Sequence, residues 1–336
     1  MSVEGGTLFL PSLNIQFFSH DKIGMEVAKQ LREINKEDAK KNYQELINLP
    51  CPAPPSQSRV GLQTLDYFFL HHRLKAKTKR HISFMDALKN SEKLEYIDEK
   101  IKKIKGVFPS SLTDQELLQQ RYSVFQLYYG TINQFRPSEA KRLYCIFKPK
   151  LGILDFSAGW GGRCLAAMAC EIPYTGIDAN TNLKSSYEKM IEFCKPIAPT
   201  KMIYKPSETV DFSKIQYDLV FTSPPYFMLE EYEKMPQYGS KDGFIEKFFR
   251  PVVQSAWKHL HTGGYMALNM PKEMYDSVKA DLPPLWKRMR LPIMDRHATN
   301  AAKGSSIGTH DKNNRSEGIY VWHKQSKRNT TRRVSR

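Results

Sequence analysis

Several features that define large classes of proteins are missing from this 336-residue sequence. No apolar run reaches the roughly 18 residues that a membrane span needs, and the N-terminus has no basic segment followed by a long apolar stretch, which predicts no secretory signal. The five cysteines form no CxxC pair: Cys51, Cys145, Cys164, Cys170 and Cys194. They are predicted to be buried thiols of a reducing compartment, neither disulfides nor zinc ligands. We therefore expect an intracellular protein, in the cytoplasm or nucleus of a host, without a bound metal.

Acidic residues are also scarce relative to basic ones. Against 51 Lys and Arg there are 35 Asp and Glu, which gives a formal net charge of +16. Such an excess predicts a polyanionic partner, usually nucleic acid, and the alternative is a merely soluble basic protein. Basic residues cluster in 71–81, in 100–106 and in the acid-free tail 324–336. This clustering favours a nucleic-acid partner.

The first 130 residues are predicted to be mainly helical. Apolar residues have helical spacing in 20–49, 84–104 and 111–130, and Ser111 or Thr113 would cap the last of these helices. The proline-rich stretch 50–58 breaks any helix. We interpret 1–130 as a basic nucleic-acid-binding region, 131–324 as a separate domain and 325–336 as a disordered basic tail.

From about residue 150 onward, strand patterns alternate with helix patterns. The predicted strands are 152–156, 174–178, 202–205, 217–223 and 265–270, with 290–297 and 318–324 as candidates for a sixth and a seventh. Helix patterns fill 163–171, 182–195 and 243–260. Such alternation predicts a parallel, doubly wound sheet with right-handed crossovers.

Glycine-rich and acidic residues follow the first two predicted strands, where an open α/β sheet binds its ligands. Gly159, Gly161 and Gly162 lie in DFSAGWGGR, residues 155–163, and would allow a tight turn and a close approach of backbone to ligand. Asp178 ends the second strand, where an acid suits the two hydroxyls of a ribose. Taken alone, Asp178 could equally cap the next helix.

The fourth predicted strand ends in an unusual loop, FTSPPY at 221–226. Two consecutive prolines remove two backbone donors and fix two φ angles, and each restricts the residue before it. The strand must therefore stop in a stiff loop with unpaired carbonyl groups. Such a loop either terminates the strand and does nothing more, or it presents acceptors to a ligand.

Taken together, these motifs resemble those of the class I AdoMet-dependent methyltransferases. Within that class the sequence is similar to the enzymes that methylate exocyclic amino groups of nucleic-acid bases, over roughly residues 131–324. The glycine-rich motif corresponds to Asp155–Gly161, the acidic strand end to Asp178, and the (D/N/S)PP(Y/F/W) loop to Ser223–Tyr226. Asn133–Pro137 resembles a phenylalanine segment that closes over the cofactor. The motif order is that of gamma-type DNA methyltransferases, and the whole resembles DNA methylases of phages and large DNA viruses.

The resemblance implies a fold, a cofactor and a set of site residues. The fold is a class I, Rossmann-like α/β fold: a seven-stranded, mostly parallel sheet with helices on both faces, plus the N-terminal helical region. The cofactor is S-adenosyl-L-methionine (AdoMet). Its binding residues are Phe135, Asp155, Phe156, Ser157, Gly159, Gly161, Asp178 and Glu208, although Glu208 could equally be an ordinary loop acid. The catalytic residues are Ser223, Pro224, Pro225 and Tyr226.

The SPPY loop has a physical role in this chemistry. An exocyclic amine is a poor nucleophile because its lone pair is delocalised into the ring. The Ser223 hydroxyl and the Pro224 carbonyl would accept its two hydrogens and concentrate the lone pair on nitrogen, while Tyr226 stacks on the base. A duplex base must be flipped out to reach this loop. Ser223 occupies the position where many adenine-modifying relatives have Asp or Asn. This difference favours cytosine N4 as a possible target atom alongside adenine N6.

The substrate, the oligomeric state and the region that recognises the substrate stay open at this point. The leading interpretation is a DNA base methyltransferase. RNA is the nearest alternative substrate, and a protein amide is a weaker one. An alternative of another class is a catalytically silent subunit that binds nucleic acid. The sequence does not give an oligomeric state. Neither gap around the SPPY motif has room for a separate recognition domain. We therefore expect residues 20–130 and the loops 228–243 and 298–314 to clamp the substrate.

Overall fold

Seven strands form a single sheet in the order β3-β2-β1-β4-β5-β7-β6. The computed structural model describes residues 20–51, 58–226, 238–289 and 317–325. Strands β1 to β5 are parallel to one another, whereas β7 is antiparallel to both β5 and β6. The strands are β1 (Ile153–Asp155), β2 (Tyr174–Ile177), β3 (Thr200–Ile203), β4 (Leu219–Thr222), β5 (Tyr265–Met270), β6 (Lys287–Met289) and β7 (Gly318–His323).

Successive residues of the central strands point into two different cores. Ile153 and Leu219 contribute to a core on one face of the sheet, and Leu154 and Val220 to a core on the other. This period of two is the geometry of an extended chain buried on both sides. The apolar runs that predicted the strands are therefore explained by helices covering both faces.

The helices that follow the sheet strands cover those two faces. Helices α8 (Gly162–Ala169) and α9 (Lys184–Cys194) follow β1 and β2 and pack on one face. On the other face lie α10 (Lys241–Phe244), a π-helical segment (Ile245–Phe249), α11 (Arg250–His259) and α12 (Lys272–Val278). This arrangement confirms the predicted class I, Rossmann-like architecture with a mostly parallel sheet.

Seven helices precede β1 in the described residues. They are α1 (His20–Leu31), α2 (Lys36–Asn48), α3 (Leu62–Lys75), α4 (Phe84–Ala87), α5 (Ser91–Lys105), α6 (Asp114–Tyr129) and α7 (Pro137–Phe147). The helix predicted over 20–49 is two helices, because Asn35 and Asp38 form a capping box that starts α2. Thr113, one of the two residues predicted as the cap, starts α6 in the same way. No helix among the described residues is long and apolar enough to cross a membrane.

The N-terminal helices belong to two cores, and α3 contributes to both. Leu65 and Phe69 of α3 pack with Leu165 of α8 in the core of the first sheet face. Leu70 and Leu74, on another side of the same helix, pack in a separate core with residues of α1, α4, α5 and α6. The core that α2 and α3 share with the sheet is therefore built from residues on both sides of the predicted domain boundary at residue 130.

Two strands differ from the sequence prediction. Strand β3 begins at Thr200, two residues before the predicted start, and ends at Ile203. Strand β6 is the short segment Lys287–Met289, whereas the predicted sixth strand, 290–297, lies outside the described residues. Two of its three residues, Lys287 and Arg288, are exposed basic side chains, so β6 had no apolar pattern to reveal it.

The prediction that no cysteine forms a disulfide is wrong. Cys51 and Cys145 are bonded, with their Cα atoms 5.4 Å apart and a separation of 94 positions in the chain. The packing of α7 against the end of α2 brings them together, through contacts that include Lys141 Nζ donating to the carbonyl oxygens of Leu46 and Ile47. Cys164 is buried as a free thiol. Within the described residues, no group of three or more His, Cys, Asp or Glu could hold a metal ion.

Candidate active site

The carboxyl ends of the parallel strands bring the predicted motifs to one edge of the sheet. Asp155 ends β1, Asp178 follows β2, and Ser223 follows β4. Strand β1 lies between β2 and β4, so the strand order changes direction there and leaves a crevice at this edge. Residue pairs such as Asp155 with Gly176 in the β1–β2 register keep these ends level.

The glycine-rich loop between β1 and α8 is held from two sides. Gly159 and Gly161 have φ angles of +59° and +78°, in the left-handed region that favours glycine. The Gly159 N–H donates to Asp178 Oδ2 at 2.8 Å, and the Gly159 carbonyl accepts from the Tyr187 hydroxyl at 2.9 Å. The loop and the acid predicted to share a ligand are thus in direct contact.

Asp155 supports the loop from below and has no exposed surface. Arg163 Nε donates to its Oδ2 at 2.7 Å and Arg163 Nη2 to its Oδ1 at 3.2 Å, while the Tyr174 hydroxyl donates to Oδ2 at 2.7 Å. Arg163 also bonds to the Ser157 carbonyl. Asp155 therefore positions the loop through a buried ion pair, and Arg163, which the sequence analysis did not single out, is its partner.

Phe156 and Ser157 continue this loop with opposite exposure. The Phe156 side chain is buried in the core of the second sheet face, and its carbonyl accepts from Ser207 Oγ at 2.5 Å. Ser157 is partly exposed at the edge. Of these two predicted cofactor residues, only Ser157 presents its side chain to the crevice edge, and Phe156 contributes through packing.

Asp178 is a partly exposed residue whose carboxyl group is itself surrounded by protein. Burial raises the pKa of its carboxyl to about 6, and hydrogen bonds from the N–H groups of Asn180 and Gly159 oppose that shift. Each of these two donors occupies a different carboxylate oxygen at 2.8 Å. A carboxylate has about four acceptor positions, so two remain for the hydroxyl groups of a ligand.

Glu208, in the turn after β3, has one carboxylate oxygen with no partner. The Tyr238 hydroxyl donates to Oε1 at 2.9 Å. Oε2 is buried and has no hydrogen-bond partner within the described part of the chain. A buried, unpartnered carboxylate oxygen is costly unless a donor reaches it. It is therefore a candidate acceptor for a donor group of a ligand.

Phe135 lies at the same edge, against the start of α8. Its ring packs edge-on against Phe221 of β4, with centroids 5.3 Å apart, and the Arg163 guanidinium lies 5.4 Å from its centre. A Cβ on Gly162 would lie 2.0 Å from the Phe135 carbonyl oxygen. Only glycine at 162 permits this approach, so the Phe135 segment is placed by backbone contact with the loop.

The SPPY loop is tied to two residues that the sequence analysis did not assign. Asn269 Nδ2 lies 2.7 Å from Glu317 Oε1 and 3.1 Å from both Ser223 Oγ and the Tyr226 hydroxyl, so its two hydrogens are shared among three acceptors. The Tyr226 hydroxyl donates to Glu317 Oε1 at 2.5 Å and lies 3.4 Å from Ser223 Oγ. Burial, and secondarily the Glu317 carboxylate, raise the pKa of Tyr226 well above its usual value.

The Ser223–Tyr226–Asn269–Glu317 cluster explains an ambiguity in the sequence. From the sequence alone, Glu317 could form a salt bridge with Arg315 or contact a substrate. In the structure, Glu317 accepts hydrogen bonds from Tyr226 and Asn269, and Arg315 lies outside the described residues. Asn269 is only 2% exposed in the apolar strand YMALNM. A lone amide in an otherwise buried strand was the signal that could have identified it.

A basic groove of about 1230 Å³ opens between α1, α2, α3 and α9. Aromatic rings of Tyr67, Phe68 and Phe193 line its floor together with His71 and His72. Six cations line it, namely Lys29, Arg32, Lys36, Lys40, Lys189 and Lys195, against three acids, Glu37, Asp66 and Glu192. Its lining is therefore net positive and contains rings on which bases could stack.

The basic run 71–81 is not uniformly exposed to solvent. Arg73 is buried and paired with Asp66, which also binds Arg32 at 2.7 Å. Lys77, Lys79 and Arg80 are exposed. Helix α3 packs in two cores, so the part of the run that lies on α3 includes buried positions such as Arg73.

The two loops predicted to clamp a substrate lie mostly outside the described residues. Of 228–243 the structure describes 238–243, and 298–314 falls entirely in an undescribed range, as do residues 326–336 of the basic tail. Tyr238 is the described loop residue nearest the site, since it donates to Glu208.

Comparisons with known proteins give similarities at a low level. TrmN from Thermus thermophilus is 13% identical, with a TM-score of 0.39 over 69% of this chain and 79% of that chain. The M. jannaschii tRNA m1G37 methyltransferase is 15% identical, with a TM-score of 0.37 over 59% and 53%. A SAM-dependent O-methyltransferase from Thermotoga maritima is 14% identical, with a TM-score of 0.37 over 61% and 71%. No protein-family model and no curated protein matches the sequence.

At this level of similarity, the substrates of those proteins do not transfer to this chain. The strand order and the residues at the sheet edge are the features on which a function for this chain can be based.

Proposed function

We propose that the protein transfers a methyl group from AdoMet to an exocyclic amino group of a nucleic-acid base, cytosine N4 or adenine N6, in DNA. The observation that carries this proposal is the placement of the SPPY loop beside the glycine-rich loop at the switch point of the sheet. One loop suits a nucleotide-like cofactor, and the other suits a planar base carrying an amine.

The residues of the first loop fit AdoMet by the chemistry of their donors and acceptors. The two free acceptor positions of Asp178 suit the ribose hydroxyls, which donate. The unpartnered Glu208 Oε2 suits the adenine amino group, also a donor. Ser157, the Gly159–Gly161 backbone and Phe135 complete the predicted set at the same edge. AdoMet would supply an activated methyl group, and no metal is needed for that chemistry.

The chain's own contribution to the reaction is to hold the amine. Ser223 Oγ accepts one bond from Asn269 and keeps a second lone pair for an amine hydrogen. Pro224 is buried and Pro225 follows it, so the Pro224 carbonyl is held rigidly for the second hydrogen. Fixing both hydrogens aligns the nitrogen lone pair before reaction. The Tyr226 ring packs partly on the sheet core and, in this proposal, stacks on the base.

Nucleic acid as the partner is supported by the net charge and by the basic groove. Lys36, Lys40, Lys189 and Lys195 are exposed along the groove and can contact phosphates. Asn182 and Ser185 line its end just after β2, so the groove approaches the edge that carries Asp178. A strand lying in the groove could therefore deliver a base toward the SPPY loop.

The proposal is tested by incubating the protein with AdoMet labelled in the methyl group. The substrates are plasmid DNA from a host without DNA methyltransferases, the same DNA made single-stranded, and RNA transcribed in vitro. Nucleoside mass spectrometry should detect N4-methylcytosine or N6-methyladenine in DNA.

The controls separate the alternative readings. Ser223→Ala should bind AdoMet as the wild type does and lose most of the transfer activity, because the acceptor for the amine is gone. Methylated nucleosides only in the RNA would reassign the substrate to RNA. Nucleic-acid and AdoMet binding without transfer to any substrate would indicate a silent subunit and reject the proposal.

A further inference from the structure

The SPPY loop leaves a chemical problem, and this inference rests on the proposed function. When an amine accepts a methyl group, its nitrogen becomes positively charged and must lose a proton. Ser223 cannot keep that proton at neutral pH, because a neutral hydroxyl is not a useful base. A carboxylate in the loop would solve the problem, and this loop has none.

The structure places a carboxylate beside the loop from a distant part of the chain. Glu317 immediately precedes β7, and β7 is antiparallel to β5, with Gly318 opposite Met270. The start of an antiparallel strand lies at the edge where the parallel strands end. Glu317 therefore reaches the same edge as Ser223, although 94 residues separate them in the sequence.

The hydrogen bonds form a continuous path from Ser223 to Glu317. Ser223 Oγ and the Tyr226 hydroxyl lie 3.4 Å apart, and the Tyr226 hydroxyl donates to Glu317 Oε1 at 2.5 Å. The first contact is long, as catalytic hydrogen bonds often are before substrate binds. Because the Tyr226 hydrogen is directed at Glu317, the Ser223 hydrogen is available to point at the Tyr226 oxygen.

Asn269 fixes the direction of this path. One hydrogen of its Nδ2 is directed at Glu317 Oε1 at 2.7 Å, and the other is shared between Ser223 Oγ and the Tyr226 hydroxyl. A carboxylate only accepts, so the amide nitrogen must face it. Asn269 Oδ1 is left buried without a partner in the described residues. The amide thus orients both hydroxyls while their hydrogens run toward Glu317.

We propose that Glu317 is the proton acceptor for the SPPY loop and acts through Tyr226 and Ser223. As the new N–C bond forms, the lone pair of the amine is consumed and the methyl–sulfur bond breaks, with its electron pair staying on sulfur. The proton then leaves nitrogen for Ser223 Oγ, the Ser223 hydrogen moves to the Tyr226 oxygen, and the Tyr226 hydrogen moves to the Glu317 carboxylate. Glu317 ends as a neutral acid and, being partly exposed, returns the proton to water.

The charges around the path are few in the described structure. Arg163 of α8 acts on Tyr226 electrostatically. Arg288 of β6 lies over the Tyr320 ring, 5.2 Å from its centre, and near Gly318.

The decisive variant is Glu317→Gln, which keeps the size and the acceptor oxygen but cannot take up a proton. With unmethylated plasmid DNA as substrate, we expect its kcat to fall by about tenfold to a hundredfold, with AdoMet affinity and KM for DNA unchanged. The wild-type kcat should decrease on acidification, because a protonated carboxyl cannot accept the proton, and the variant should lose that dependence. Glu188→Gln, on the exposed side of α9, is the matched control and should leave kcat unchanged.

A double-variant cycle tests the path itself. If Glu317 acts through Tyr226, then Tyr226→Phe and Glu317→Gln should together cost little more than either alone. Additive losses in kcat would overturn the relay. Glu317→Asp, which retains a carboxylate, should recover part of the activity.

A spectroscopic measurement checks the coupling without any substrate. In protein labelled with ¹³C at the tyrosine ζ position, the Tyr226 resonance is the one lost in Tyr226→Phe. Its shift should show a pH step in the wild type and none in Glu317→Gln, because Tyr226 donates to that carboxylate. An identical titration in both proteins would overturn the inference. If no nucleic acid is methylated, the proposed function fails, yet this titration still decides whether Glu317 and Tyr226 are coupled.

Discussion

At the scale of single residues, Asp178 links the two halves of the candidate cofactor site. Its carboxylate holds the N–H of Gly159 from the glycine-rich loop and that of Asn180 after β2. Asp178 is not the cap of the next helical turn, because that cap is Asn180; Asp178 instead accepts from the Asn180 N–H. A single carboxylate can hold the loop and still offer acceptors to a ribose.

The raised pKa of Asp178 predicts a pH dependence of AdoMet binding. Burial raises that pKa to about 6. Below this value the carboxyl becomes protonated and accepts fewer hydrogen bonds, so affinity should decrease by up to about tenfold per pH unit. Calorimetric titration with AdoMet between pH 5 and 8 measures this change. Asp178→Asn should bind more weakly at pH 8 and show a flatter profile; a wild-type profile as flat as that of the variant would reject the assignment.

The same shift has a defined sign for folding stability. Because the folded-state pKa lies above the ordinary value of 3.8, the folded protein binds this proton more tightly than the unfolded chain does. The stability that Asp178 contributes is present below the ordinary value and is lost as the pH rises through about 6. Asp178→Asn should therefore gain stability relative to the wild type between pH 4 and 7.

At the scale of elements, the first turn of α8 sets the spacing between the cofactor loop and the Phe135 segment. Gly161 caps the helix in the left-handed conformation, and Gly162 begins it under the Phe135 carbonyl. Since both neighbours of Gly162 in this contact are backbone, neither can yield by rotating a side chain. The position of the Phe135 segment therefore depends on residue 162 being glycine, which has no Cβ.

Gly162→Ala should displace the Phe135 segment. The Cβ would lie 2.0 Å from the Phe135 carbonyl oxygen, so we expect a loss of about 1–3 kcal/mol in the free energy of unfolding, the scale of overpacking, together with weaker AdoMet binding. Urea denaturation and calorimetry measure both effects. The matched control is Gly24→Ala in α1, where the closest contact of the new Cβ is the flexible end of Lys75 and the His71 carbonyl oxygen lies at an ordinary 3.7 Å. Equal stability of the two variants would contradict the proposed backbone contact.

At the scale of the whole molecule, the N-terminal helices both complete the sheet core and form the groove. Removing 1–130 would expose Leu165 and Met190, which pack against α2 and α3. A truncated chain would therefore report on folding as much as on substrate binding. Charge changes on the exposed groove surface test the substrate role without that ambiguity.

Lys40→Glu with Lys189→Glu should weaken nucleic-acid binding and reduce its salt dependence. Each phosphate contact contributes about 0.9 to the log–log slope with salt on duplex DNA, so removing two should flatten the slope by about 2. Fluorescence anisotropy with a labelled oligonucleotide from 50 to 300 mM salt measures it. The control is the double variant Lys201→Glu with Lys258→Glu, which changes the net charge by the same amount at exposed positions away from the groove. It should have a smaller effect on the salt dependence. Equal slopes for the two double variants would remove the groove from the proposal.

The sequence by itself determined those features that depend on a few neighbouring residues. Helical spacing predicted most of the helices, the start of α6 was narrowed to a cap at Ser111 or Thr113, and apolar runs predicted β1, β2, β4, β5 and β7. The glycine-rich loop and the SPPY loop were also recognisable, because glycine and proline restrict the backbone locally. Strand ends in a parallel sheet share an edge, so their juxtaposition could be inferred.

Only the tertiary structure decided which distant groups meet. The disulfide between Cys51 and Cys145, the inward turn of Arg73 and the contact of Asn269 with Glu317 all depend on how elements pack, and spacing along the chain carries no signal for them. Glu317 reaches the SPPY loop only because β7 enters the sheet antiparallel beside β5. Local patterns restrict φ, ψ and the buried face of an element, whereas partners across the molecule are selected by the burial of whole faces.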